Sequence, residues 1–380
     1  MSRANLWRRE PSGRSGRHAE GSAPAPGTAA TVAVPPVEDP STDLGGGDSL
    51  AGPRSLLDYE DLERRALRSR GVAAGDRGGD GALDERWWRP IVVDRPMLDF
   101  EPAPPTPGPL PYFPDTVLDG WSSADFTMRL AAVRGSSHRY RGQPRQDHAE
   151  AFCITGEEAE GERVIFAVAD GVSNSAHGEL GSLLAVQGAV RSLRRQTEAA
   201  GQLDWGGVLD TAVTTMVHGA QNVFGVANPS LREVGNLMAT TLVCGMVWST
   251  ESGYTVALTR VGDSGAWVLD RHGFRPLFEP KRAAHAEVLP SGVAALPLIP
   301  AHPQEVRLKL LPDEVLLVGT DGFSDPLGDG TGEIGALFAH WLARTPPARG
   351  FAHLLDFSRD TFDDDRALVA IWPRRHGDER

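Results

Sequence analysis

Apolar residues are spread unevenly along this chain. Up to about residue 85, Gly, Pro, Ala, Ser and charged residues dominate, and bulky apolar side chains are scarce. Such a segment cannot bury enough surface to offset its conformational entropy, so 1–85 is expected to be disordered or linker. One amphipathic stretch inside it predicts a short helix near 55–70. Residues 86–124 then alternate apolar positions (Trp87, Trp88, Ile91, Val92, Met97, Phe100) with many prolines, as an extended segment packed on a domain would.

The pattern changes near residue 125. Short, largely apolar runs broken by turn residues predict strands at 126–133, 162–169, 240–248, 254–261, 266–269, 305–310, 315–319 and 367–372. After the second run, Leu180, Leu183, Leu184, Val190 and Leu193 recur at helical spacing, as do Val208, Leu209, Ala212, Val213, Met216, Ala220 and Val223. A second helix pair is expected at 334–343 and 351–358, before the last strand. Strands alternating with two helix pairs predict packed sheets flanked by helices over 125–373, with 374–380 a tail.

Charge and cysteine content narrow the chemistry. A net charge of −13 over 380 residues disfavours nonspecific nucleic-acid binding. Cys153 and Cys244 both sit in apolar stretches and form no zinc-ligand spacing, which fits buried thiols in a reducing compartment. The start of the chain has no apolar signal core, and no run is long enough to span a bilayer, so a cytoplasmic location without membrane contact is expected.

The polar residues that punctuate the strands are the informative ones. Three apolar runs end in a loop with an aspartate: VIFAVAD (Asp170), VALTRVGD (Asp263) and LLVGTD (Asp321). The run ALVAIW is entered through Asp363-Asp364-Asp365. If neighbouring strands pair antiparallel, the end of one lies beside the start of the next, and these carboxylates share a rim. Gly171, Gly262 and Gly322 beside them permit tight turns. Carboxylates gathered this way repel unless cations sit between them, and oxygen-only donors favour magnesium or manganese over zinc.

In their order these motifs resemble the metal-dependent protein phosphatases, the PPM or type 2C family, in its bacterial branch. The matching elements are Gln146-Asp147 in RGQPRQDHAEAF, the VADGVSNSAHGELGS loop, Ala239-Thr240-Thr241, VGDSGAWVL, VGTDGFSDPL and DDDRALVAIW. The resemblance implies an α+β fold, an αββα sandwich of two antiparallel sheets flanked by helix pairs. It implies hydrolysis of phosphoserine and phosphothreonine in substrates of Ser/Thr kinases, by a water or hydroxide bridging two divalent metals. The cofactors would be two Mg2+ or Mn2+ ions, or three. Asp170 would bridge two ions with the Gly171 carbonyl on one, Asp321 and Asp365 would hold the other, and Asp147 would orient waters. Asp263 and Asp325 match a third, weaker site.

The chain also departs from the family pattern. The acidic residue before Asp147 is Gln146, and Val172 stands where a histidine is common. Gly265 replaces an arginine, and Arg366 stands at the asparagine that closes the family's Asp-Asn pair. The phosphate-binding arginine position is Gly142, which leaves Arg141 or Arg145 as shifted candidates, Arg141 being taken into the catalytic set. His148 and His177 are surface-loop histidines that would serve as acids, as ligands, or as neither. The departures leave a second reading, a phosphatase-like module that binds phosphoprotein with little or no turnover.

Overall fold

The structure is a computed structural model that describes residues 91–98, 100–104, 110–155, 161–198, 203–250, 253–279 and 294–374. These fall in one compact unit, Ala82–Arg380. The expectations for 1–85, the helix at 55–70 and most of the tail lie outside the described residues.

Two fully antiparallel sheets face each other. One contains β1 (Thr116–Ser122), β2 (Phe126–Val133), β7 (Gly265–Asp270), β8 (Gly273–Pro276), β10 (Val315–Gly319) and β11 (Arg366–Pro373), in the order β1-β2-β11-β10-β7-β8. The other contains β3 (His148–Ile154), β4 (Arg163–Ala169), β5 (Leu242–Thr250), β6 (Gly253–Val261) and β9 (Gln304–Leu310), in the order β3-β4-β5-β6-β9. Helices α2 (Gly178–Glu198), α3 (Trp205–Phe224) and α4 (Leu231–Met238) cover the second sheet. Helices α5 (Asp321–Leu327), α6 (Glu333–Leu342) and α7 (Ala348–Leu355) cover the first, and a single turn and a half, α1 (Ser136–Arg141), sits at one end. The fold is therefore the expected αββα sandwich.

Burial explains why the strands read as continuous apolar runs rather than alternating ones. Along β4, Val164, Phe166 and Val168 point into the core between the sheets, while Ile165, Ala167 and Ala169 point under α2 and α3. β11 divides the same way, with Ala367, Val369 and Ile371 between the sheets and Leu368, Ala370 and Trp372 under the helices. Both faces of each central strand are dry, so both must be apolar. Among the described residues no helix is long and apolar enough to cross a membrane.

Six elements were not anticipated: β1, α1, β3, α4, β8 and α5. β1 is mostly solvent-exposed and precedes the expected boundary at 125, so its pairing with β2 left no apolar signature. The α4 signal is a polar one, a capping box in which Ser230 and Glu233 satisfy each other's backbone N–H groups.

The segment before β1 is fastened to the domain. Val93 donates its N–H to the Ser358 carbonyl at 2.9 Å, Ser358 donates back to Ile91 at 2.7 Å, and the Val93 side chain is 1% exposed among Phe351, Leu355 and Phe357. Burial of one valine contributes about 2 kcal/mol. A chain starting at residue 110 should therefore melt roughly 4–8 °C below one starting at residue 84. Calorimetry of the two decides it: equal melting temperatures would mean that Val93 contributes nothing to the core.

Candidate active site

Strand pairing gathers the aspartates at one end of the sandwich. His148 pairs with Ala169, so Asp147, which precedes β3, lies beside Asp170, which follows β4. Gly319 pairs with both Leu368 and Gly265, so Asp321 after β10 lies near the entry to β11 and near the β6–β7 turn that contains Asp263. The turn after β4 is tied into this end as well. The Asp170 N–H donates to the Thr241 hydroxyl at 3.1 Å, the Asp170 carbonyl accepts from the Thr240 hydroxyl at 2.7 Å, and Thr241 meets Ser264 at 2.7 Å. Gly171 forms a bridge with Thr240.

Electrostatics show which of these carboxylates converge. Asp147 is 2% exposed, and its carboxyl is held well above the usual range by burial and by the charges of Asp365, Asp364 and Asp321, against a hydrogen bond from Thr320. Asp170 is raised by burial, by Asp147 and Asp321, and by a hydrogen bond with the Asp321 carboxyl. Asp364 is pushed up to about 6 by the protein packed around its carboxyl and by Asp321 and Asp365, although the residue keeps an exposed surface. The Oδ2 atom of Asp147 is buried with no hydrogen-bond partner. Asp321, Asp325, Asp363 and Asp364 line a cleft of about 200 Å³ between α5 and the 361–364 loop.

Two expected roles change. Asp365, expected as a ligand, is 1% exposed and turned into the protein. Its Oδ1 accepts the Gly135 N–H at 2.6 Å, and its Oδ2 accepts the Gln146 N–H at 2.5 Å. Asp364 faces the cleft in its place, a shift of one residue that the triple Asp363-Asp364-Asp365 left unresolved. Arg366, expected at the asparagine of the family pair, is the first residue of β11. Arg145 is also excluded as a phosphate ligand. It is 2% exposed and donates to the backbone carbonyls of Asp147 and Pro114. Arg141 remains exposed at the end of α1.

The other expected residues are distributed more simply. Asp325 lies one turn after Asp321 in α5. Asp263 sits in its turn near the Arg260 charge. His177 stacks on Phe224 and stands 3.3 Å from Glu179, while His148 stands 3.5 Å from Glu150. Sequence reasoning missed His138, buried in α1, and Thr320, the residue before Asp321. Among the described residues no three acidic, histidine or cysteine side chains already surround one point in cation-binding geometry. The carboxyls instead lean on one another, as the Asp170–Asp321 hydrogen bond shows.

Comparison with known proteins adds the following. Residues 134–356 match the family model described as protein phosphatase 2C. No curated protein matches the chain by sequence. Among solved structures, the chain is similar to the catalytic domain of the serine/threonine protein phosphatase PstP in complex with two manganese ions, at 17% identity over 66% of this chain and 99% of that one, TM-score 0.45. It is also similar to RsbX in complex with magnesium, at 10% identity over 68% and 100%, TM-score 0.42. A third is the PPM Ser-Thr phosphatase MsPP from Mycobacterium smegmatis in complex with cacodylate, at 16% identity over 64% and 97%, TM-score 0.39.

Crowded carboxylates make stability depend on pH. Folded Asp147, Asp170 and Asp364 bind protons more tightly than the unfolded chain does, so stability falls as pH rises from the ordinary carboxylate value of 3.8 through about 6 and beyond. His138 adds to the same slope, because Asp365 and Asp364 outweigh its burial and raise its pKa. Asp115, where burial is outweighed by Arg139 and Arg134, sits at about 2 and adds no slope above pH 5. The EDTA-treated protein should therefore melt higher at pH 5 than at pH 7.5, and Mn2+ should raise the melting temperature more at pH 7.5. A metal-free melting temperature that rises between these values would contradict the crowding.

Proposed function

The chain belongs to the protein phosphatase 2C family, and from that membership we propose that it hydrolyses phosphoserine and phosphothreonine in proteins at the rim where Asp147, Asp170, Asp321 and Asp364 meet. The observation behind this reading is the convergence of those carboxylates from separate loops. Asp147, Asp321 and Asp364 each raise the pKa of another member of the set, and the basic Arg145, whose charge reaches Asp147, donates its hydrogen bonds to backbone carbonyls rather than to these carboxyls.

The donor set fits divalent cations. All the converging groups are oxygens, the Asp147 Oδ2 is buried without a partner, and the repulsion among the carboxylates is relieved by positive charge between them. Asp170, Asp321 and Asp364 would hold two Mg2+ or Mn2+ ions, together with the Gly171 carbonyl. When bound, such a pair lowers the pKa of a shared water and neutralises the phosphoryl oxygens during in-line displacement.

The chain's own residues set the stage for that chemistry. The Asp170 backbone is held in place at the rim, its N–H by Thr241 and its carbonyl by Thr240. Asp321 opens α5 beside Gly322, where any Cβ would lie 1.8 Å from the Asp365 carbonyl, so only glycine lets the two loops close on each other. Asp147, supported by the Thr320 hydroxyl, is placed to accept a hydrogen bond from water at the rim. Arg141, exposed at the edge, is the basic side chain proposed to meet the substrate phosphate. Asp325 lines the same cleft and Asp263 lies in the adjoining turn, and they are proposed for a weaker third ion. The complete set of Asp147, Asp170, Asp321 and Asp364 favours turnover over a binding-only module. Substrates are phosphorylated proteins of Ser/Thr kinase pathways in the cytoplasm.

Phosphothreonine peptide and aryl phosphate should be hydrolysed only with Mn2+ or Mg2+. Asp170→Asn and Asp364→Asn should each lower kcat by at least ~100-fold, about 3 kcal/mol of lost charge stabilisation, and Asp263→Asn by much less. Steady-state rates at saturating Mn2+ test this. Full activity in excess EDTA would remove the metal-dependent mechanism, and wild-type turnover in Asp170→Asn would remove the site.

A further inference from the structure

The proposed chemistry leaves Asp365 and His138 unused, yet both are buried beside it, at 1% and 6% exposure. Asp365 directs its carboxylate away from the cleft and into the backbone that leads to Asp147. Its Oδ1 takes the N–H of Gly135, the residue that opens α1, and its Oδ2 takes the N–H of Gln146, the residue before Asp147. His138 Nδ1 stands 2.9 Å from the same Oδ2, close as an ion pair though off the hydrogen-bond direction. A second set of contacts runs parallel to the first. Ser137 donates its N–H to the Asp363 carbonyl at 3.1 Å, and a Cβ on Gly135 would lie 2.3 Å from that carbonyl oxygen.

These contacts join two segments that are far apart in sequence. One delivers Asp147 to the rim and the other delivers Asp364. Each of the two loops alone would be free to relax outward under the repulsion described above. α1 has only six residues, too short to be stable by itself. It is clamped at its outer side by Arg139, which donates to both oxygens of Asp115 at 2.9 and 2.7 Å and to Asp356 at 2.9 Å. The inner side of the helix is therefore presented to Asp365 as a fixed platform.

We infer that Asp365 is a positioning residue, a latch that fastens the Asp364 loop to the Asp147 loop through Gly135, Gln146 and His138. This rests on the reading of Asp147 and Asp364 as metal-site carboxylates. Asp365 touches neither substrate nor cation. It fixes the separation of two groups that do, and it can do so because its oxygens are already occupied by N–H donors.

The test is Mn2+ affinity by titration calorimetry, read beside kcat and at a temperature where every variant is folded by circular dichroism. Asp365→Ala should weaken Mn2+ binding by about 10–100-fold, the usual cost of losing a group that orients metal ligands. Asp365→Asn should lose less, because its amide oxygen still accepts one N–H. His138→Ala should weaken binding, and His138→Gln should recover part of the loss. The Asp365→Ala/His138→Ala double variant should bind no more weakly than Asp365→Ala alone, since the latch is already open. Wild-type Mn2+ affinity in Asp365→Ala would overturn the latch. So would silent His138 variants combined with equal losses in Asp365→Asn, Asp365→Ala and Asp364→Asn, which would make Asp365 a ligand itself. Should Asp365→Ala fail to fold, wild-type Mn2+ affinity in His138→Ala overturns the proposal on its own. Wild-type Mn2+ affinity and turnover in Asp364→Asn would instead overturn the underlying site, whatever the Asp365 variants show.

Discussion

Repulsion among Asp147, Asp170, Asp321 and Asp364 is the constraint around which this end of the sandwich is built. Like charges brought together at low solvent exposure push apart, and a flexible loop would yield to them. Here strand pairing limits how far each of the four can yield. Asp147 and Asp170 are anchored by adjacent strands in a register fixed by the buried faces of β3 and β4. Asp321 and Asp364 are anchored by β10 and β11 in the other sheet. The sheets thus hold an arrangement that is unfavourable without cations and that becomes favourable with them. Fold and cofactor requirement have one physical origin.

The same reasoning explains what the sequence made legible. A strand dry on both faces must be apolar throughout, so VIFAVA, LLVG and ALVAIW announce themselves, and the aspartate at each end is conspicuous by contrast. Helices α2 and α3 are long enough for their buried stripe to repeat. What stayed hidden depends on contacts rather than on periodicity. The six residues of α1 hold together through Arg139 and Asp115, from segments that do not resemble a helix signal. β1 offers little burial on either face.

The site shows the same division at finer scale. That an acidic triplet enters the last strand was readable, but which of its members faces the cleft was not. Moving one residue along extended backbone reverses the side chain's direction, and the point at which β11 begins is set by pairing with β2. Asp365 turns inward because Gly135 and Gln146 present unpaired N–H groups there, and those groups are brought near by tertiary structure alone. Arg145 misleads for a related reason. Its place near Gly142, where the family's arginine is expected, made it a shifted candidate for phosphate, whereas its surroundings make it a buried strut for the Asp147 backbone.

Arg366 completes the account of why Asp364 is held outward. It is 6% exposed, and burial pushes its pKa down to about 10. Its guanidinium donates to the carbonyls of Gly322, Leu355, Phe357 and Phe362 and lies 3.8 Å from the centre of the Phe357 ring. A lysine has a single nitrogen and cannot span carbonyls spread across α5, α7 and the following loop, and an apolar residue would leave them unpaired in the interior. Consecutive residues therefore anchor to opposite sides, Asp365 to backbone N–H groups around α1 and Arg366 to backbone carbonyls around α5 and α7. The residue before them, Asp364, is held only locally, its Oδ1 accepting the Asp365 N–H at 2.8 Å, and its side chain lines the cleft.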